Sequence, residues 1–116
     1  MQKVIKWLSL CGFACAFSAS AEANFISGNY LLGACEKTDK VSSAFCVGTI
    51  LAYYDMMYEM EYYCGDESQR TPEQIRDVVV KYLRENPAYR DTRASALSFL
   101  AITDAFNCKP PRRRQE

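Results

Sequence analysis

The 116-residue chain contains no histidine. That absence removes the commonest general base, the Ser-His-Asp and Cys-His nucleophile arrangements, and a principal zinc ligand. With only five glycines there is no glycine-rich phosphate loop, and no two cysteines have the C-x-x-C spacing of a zinc or redox motif. Neither sign of charge is in excess, with 14 basic and 14 acidic residues, so nothing electrostatic invites nucleic acid. No segment alternates as a strand would, and there is no internal repeat or low-complexity tract. These absences point away from catalysis, cofactors and bound metal, and leave binding as the expected activity.

The N-terminus has the order of a secretory signal. Lys3 and Lys6 precede an apolar run from Trp7 to Phe17, and small residues follow it. Ala19-Ser20-Ala21 and Ala21-Glu22-Ala23 both satisfy the small-x-small cleavage rule, so the mature chain is expected to begin at Glu22 or Asn24, with Asn24 preferred. A retained anchor is the competing reading, but the run falls short of the roughly 20 apolar residues that span a bilayer. Neither Leu8-Ser9-Leu10 before Cys11 nor Gly12-Phe13-Ala14 before Cys15 makes a good lipidation signal. Residues 1–23 are therefore expected to direct export to the periplasm. Residues 24–108 form one domain in this reading, and the tail from Lys109 to Glu116, rich in Pro and Arg, is expected to be disordered.

Cleavage removes Cys11 and Cys15 and leaves Cys35, Cys46, Cys64 and Cys108, an even number for a compartment where disulfides persist. A domain this small has a marginal core, to which each bridge adds about 2–4 kcal/mol.

Four segments carry helical patterns, predicting an all-α, small four-helix bundle. The first runs near Gly28 to Cys35, with Ser27 as cap and Tyr30, Leu31 and Ala34 as its stripe. The second, about Ser42 to Tyr63, is apolar almost all round and therefore expected to be central. Asp55, Glu59 and Glu61 interrupt it and argue against a membrane span. Gly48, Ala52, Asp55 and Glu59 fall on one narrow face, opposite Cys46, Ile50, Tyr53, Met57 and Met60. The third opens with Thr71-Pro72-Glu73-Gln74, a capping box with proline in the first turn. Ile75, Val78, Val79, Tyr82 and Leu83 form its core stripe, and Val80 is expected on the outer surface between Arg76 and Arg84. Pro87 ends this helix, and Asn86 to Thr92 becomes a polar connector. The fourth spans about Arg93 to Asn107, with Ala94, Leu97, Leu100, Ala101 and Ala105 as its stripe.

Short links make successive helices antiparallel, which restricts how the cysteines pair. Cys35 ends the first helix and Cys46 begins the second, so their pairing is the local solution. Cys64 follows the second helix and Cys108 the fourth, and two reversals return the chain to the same end. Asp55 and Glu59 sit one helical turn apart on the same face, which offers a glycosidase-like acid pair, but such pairs are ordinarily a solvated or partner-facing edge.

Several motifs occur in a definite order: Ser27-Gly28-Asn29-Tyr30-Leu31-Leu32 leading to Cys35, then Cys46-Val47-Gly48 followed by Asp55, then Tyr63-Cys64-Gly65. Thr71-Pro72-Glu73-Gln74-Ile75, Val80-Lys81-Tyr82-Leu83 before Pro87, and Ala105-Phe106-Asn107-Cys108 complete the series. This order resembles the Rap/Tai family, periplasmic immunity proteins that neutralise peptidoglycan amidases delivered by type VI secretion systems. Thr49, Ala52, Gly65 and Asn107 depart from the residues usual at those places. The resemblance implies a homodimeric helix bundle that covers the cysteine-protease-like cleft of an amidase effector without catalysing anything. Carried onto this chain, it makes the connector, with Tyr89, Arg90, Asp91 and Arg93, the expected effector-binding loop, flanked by Arg76, Val80 and Arg84. The loop from Gly65 to Arg70, with Asp66, Glu67 and Arg70, is the second candidate. Competing functions are a periplasmic stress chaperone using the apolar second helix after acid-induced monomerisation, and an orphan family member without a cognate effector. In the orphan the Arg112–Arg114 tail would touch anionic envelope surfaces.

Overall fold

A computed structural model describes residues 25–112. The expected signal peptide and residues 113–116 of the tail lie outside the described residues. Within them are four α-helices: α1 (Gly28–Glu36), α2 (Lys40–Glu59), α3 (Pro72–Glu85) and α4 (Ala94–Phe106), with one 3-10 turn at Pro87–Tyr89. Every helix touches the other three, so one core is shared by all.

Local chemistry sets most of the boundaries. Ser27 caps α1 by accepting from the Tyr30 amide at 3.1 Å, and Asp39 caps α2 by accepting from Ser42 at 2.9 Å. In α3 both halves of the capping box are made: Gln74 N donates to Thr71 Oγ1 at 3.2 Å, and Thr71 N donates to Gln74 Oε1 at 2.8 Å. Asn86, before Pro87, ends α3, and Asn107 ends α4 in the left-handed region at φ 50°. The second helix stops at Glu59, four residues earlier than expected, and Glu61 turns the chain at φ 62°.

Leu31, Ile50, Met57, Val79, Leu83 and Ile102 are fully buried at the centre, each contributing roughly 1.5–3 kcal/mol of apolar transfer. Several expected stripes are displaced. In α1, Leu31 and Leu32 face the core while Tyr30 is exposed and leans edge-on against Phe45 of α2, with ring centroids 5.8 Å apart. In α4, Ser98 and Ile102 are buried, whereas Leu100 is 51 % exposed and Ala105 faces solvent. The second helix contacts all three others, yet it buries only the stripe Cys46, Ile50, Tyr54 and Met57. Phe45, Leu51 and Tyr53 pack against the core half-buried, while Val41, Met56 and Tyr58 are open to solvent.

The two disulfides are Cys35–Cys46 and Cys64–Cys108, closing separations of 11 and 44 residues. The first clamps the α1–α2 corner and the second ties the end of α4 to the loop after α2. Beside the second, Tyr63 and Lys109 exchange backbone hydrogen bonds at 3.0 and 2.7 Å. Lys109 is thus paired, because the bridge at Cys108 brings it alongside Tyr63.

Candidate functional site

The connector between α3 and α4 is held through its backbone. Gly28 N donates to Thr92 O at 2.9 Å and Asn29 N to Arg90 O at 2.7 Å, so the first two amides of α1 find their acceptors in the connector. Ala94 N closes the same seam by donating to Ile26 O at 2.8 Å. Within the connector, the amide and hydroxyl of Thr92 both donate to Tyr89 O.

This arrangement leaves side chains available. Tyr89 is 60 % exposed and Asp91 is exposed beside it. Arg93 lays its guanidinium 4.7 Å from the Phe25 ring centroid, while Arg90 is half-buried with its Nε enclosed. Of the four connector residues named from the sequence, Tyr89, Asp91 and Arg93 therefore reach the surface fully and Arg90 only in part.

Arg76 and Arg84 lie on a different face. Together with Val80, Ser43 and the Cys35–Cys46 bridge they surround a cavity of about 200 Å³. Arg76 pairs with its neighbour Asp77 at 2.8 Å, and Arg84 approaches Glu36 at the end of α1 to 3.7 Å. The helix α1 thus links the two groups: its first turn holds the connector and its last residue meets Arg84. At 1.5 Å per residue they are set roughly 12 Å apart along it. The expectation that Val80 is an exposed contact is corrected, since it is only 9 % exposed. The disulfide-clamped α1–α2 corner covers that side of α3, which a single-helix periodicity cannot reveal.

The loop from Gly65 to Arg70 is organised differently. Asp66 accepts from the Ser68 amide at 2.9 Å, which holds its carboxyl below the usual range. Arg70 turns inward: it donates to Tyr54 Oη at 2.9 Å and to Cys64 O at 2.8 Å, with its guanidinium 3.9 Å from the Phe106 ring centroid. Burial pushes the Tyr54 hydroxyl up, and the bond from Arg70 opposes that shift. Arg70 is consequently a packing residue and not an exposed contact.

A further surface appears along α2 and α4, where Tyr53, Met56, Met60, Ala96 and Phe99 line a groove of about 250 Å³. Tyr62 packs edge-on against Phe99 at 4.9 Å at its margin. Gly48, Ala52, Asp55 and Glu59 are all exposed, and no atom lies within 4 Å of where a Gly48 side chain would project. Among the described residues no cluster of carboxylates and cysteines could hold a metal ion, and no helix is long and apolar enough to cross a membrane.

The family model described as Rap1a immunity proteins matches residues 27–108, the span from the α1 cap to the last cysteine. The chain belongs to the Rap1a immunity protein family. Curated proteins and solved structures give no match. Membership in the Rap1a family assigns an effector-immunity role, carried out by binding a cognate effector. The sequence reading missed one pair that the structure places at this site, the α1 residues Gly28 and Asn29. A glycine where no turn requires one, directly after the Ser27 cap, is the signal by which they could have been found.

Proposed function

We propose that the chain is a periplasmic immunity protein that binds a peptidoglycan amidase effector of a type VI secretion system and blocks its cleft sterically. The connector is the observation that carries this reading. Tyr89 stands exposed on a segment whose backbone is bonded to α1, giving an aromatic anchor with little ordering left to do on association. Arg93 and Asp91 supply the polar rim, and Arg76 and Arg84 widen the contact at the far end of α1. Two disulfides in a domain of this size support an oxidising compartment. Lys3, Lys6 and the Trp7–Phe17 run support export, with cleavage before Asn24. The bound effector, and not this protein, carries the chemistry.

The oxidised chain from Asn24 onward, mixed with purified amidase effectors of type VI secretion systems, is expected to stop muropeptide cleavage by its cognate one near equimolar ratio. Tyr89→Ala is expected to weaken inhibition about 30-fold, the scale of an interface hot spot. Full amidase activity in the presence of excess wild-type protein contradicts the reading.

Self-association belongs to the same proposal. The exposed apolar strip of α2, with Met56 at 57 % and the groove beside Phe99, is a face that a second copy would cover. Sedimentation equilibrium is expected to show a dimer, and Met56→Glu a monomer. The same strip favours the chaperone as a second reading, since adaptable methionine surfaces bind unfolded segments. That reading requires suppression of client aggregation on acidification, without any effect on the amidase.

A further inference from the structure

We infer that the N-terminus of α1 is the template that sets the shape of the connector, and that Gly28 is a positioning residue whose missing side chain lets the two segments meet. The consequence for binding rests on the function proposed above. The hydrogen-bond accounting of the first turn is complete. Gly28 N and Asn29 N are bonded to Thr92 O and Arg90 O, Tyr30 N to the Ser27 cap, and Leu31 N to Ser27 O at 3.0 Å. Two donors that a helix start ordinarily offers to water are here committed to the connector's carbonyls.

Close approach is the condition for those bonds. A Cβ on Gly28 would lie 2.5 Å from Leu97 Cδ1, 3.1 Å from Leu83 Cδ2 and 3.0 Å from Arg90 O. Leu83 and Leu97 are buried and Arg90 O is backbone, so a methyl group at residue 28 needs both leucine side chains and the connector to give way, and it presses the connector away from α1. Local propensity predicts the opposite, because alanine is a better helix former than glycine by about 1 kcal/mol in a helix interior. The two effects have different readouts, and this separates a positioning role from a structural one.

A connector released from α1 samples other shapes, and only the competent fraction binds. The apparent dissociation constant then rises by the inverse of that fraction, mainly through a slower on-rate, while contacts in the finished complex and hence the off-rate are preserved. Loss of a contact residue such as Tyr89 does the reverse.

The test uses the oxidised chain from Asn24 onward, amide hydrogen exchange, and binding kinetics with a type VI amidase effector that the wild-type chain inhibits. In Gly28→Ala, exchange at Tyr89, Thr92 and Ala94 is expected to accelerate about tenfold or more, while Ile50, Val79 and Ile102 in the core stay as in wild type. The on-rate is expected to fall about tenfold with the off-rate within about twofold. Should Gly28→Ala fail to fold, Asn29→Pro serves instead. Asn29 is exposed and proline is tolerated in the first turn; the substitution removes the donor to Arg90 O and puts the ring Cδ where the amide hydrogen was, so that carbonyl is driven off α1. Unchanged exchange in the connector overturns the inference, as does accelerated exchange that leaves the on-rate at the wild-type value. Accelerated exchange in a protein whose wild type inhibits no such effector upholds the template and overturns the proposed function.

Discussion

Two loops of this protein are held by opposite means. The connector at residues 86–93 is fastened by main-chain bonds from α1, so Tyr89 and Asp91 are left exposed. The loop at residues 60–71 has one main-chain pairing, Tyr63 with Lys109, but is fastened mainly by side chains: Cys64 bonds to Cys108, and Arg70 reaches Tyr54, Cys64 O and the Phe106 ring. A loop held by its backbone can present its side chains to a partner. One held by its side chains has committed them already. Exposure in sequence space looked similar for Arg70 and Tyr89, and only the mode of fastening tells them apart.

That contrast is sharpened by removing each fastening in turn and measuring stability in denaturant. The largest loss is expected on replacing Cys64 and Cys108 together by Ala, about 4 kcal/mol, against about 3 kcal/mol for the Cys35 and Cys46 pair, because the longer loop restricts the unfolded chain more. Equal losses would break the argument from loop length. Arg70→Ala is next, at about 2 kcal/mol, since it removes charge-assisted bonds and the stacking on Phe106. Amidase inhibition by the folded fraction should be unchanged, and a loss of inhibition exceeding the loss of stability would move Arg70 into the binding surface. Thr71→Ala, which deletes the cap of α3, is expected to cost about 1 kcal/mol. Tyr89→Ala should alter stability by less than about 0.5 kcal/mol despite its effect on binding.

The smallest effect is electrostatic. The amides of Ser42 and Ser68 hold the carboxyls of Asp39 and Asp66 below the usual aspartate range. Their folded values lie under their unfolded ones, so their contribution is present above the ordinary aspartate pKa and is lost as pH falls through the folded values. Both groups are fully exposed, so the denaturation midpoint should decline only slightly below about pH 4, and Asp39→Asn and Asp66→Asn should flatten that decline.

Much of the fold was legible because it is written in neighbouring residues. The caps at Ser27 and Thr71 and the stop at Pro87 each depend on bonds or clashes within about four residues. The disulfide pairing followed from helix ends that short links bring together. The burial phase of α2 was legible only in outline: its small and acidic face is exposed, and Cys46, Ile50 and Met57 opposite are buried. The many apolar residues beside that stripe blur its edges, so Tyr54 being buried while Met56 is open had no signature. Val80 failed for a related reason. The stripe of α3 is the face turned to one neighbour, and the disulfide-clamped corner of α1 and α2 covers a second. The connector and the exposure of Tyr89 were legible, but not the α1 amides that hold the connector.

The sequence by itself determined the helical class, the start of every helix to within about two residues, those of α1 and α3 by capping chemistry, and which cysteines meet. The tertiary structure alone decided which apolar residues are covered, that Arg70 turns inward, and that the amides of Gly28 and Asn29 hold the connector. The physical reason is range. Caps and breakers act over a single turn, whereas burial, and the acceptor found by a helix's first amides, depend on segments more than 60 residues away along the chain that arrive only when the bundle closes.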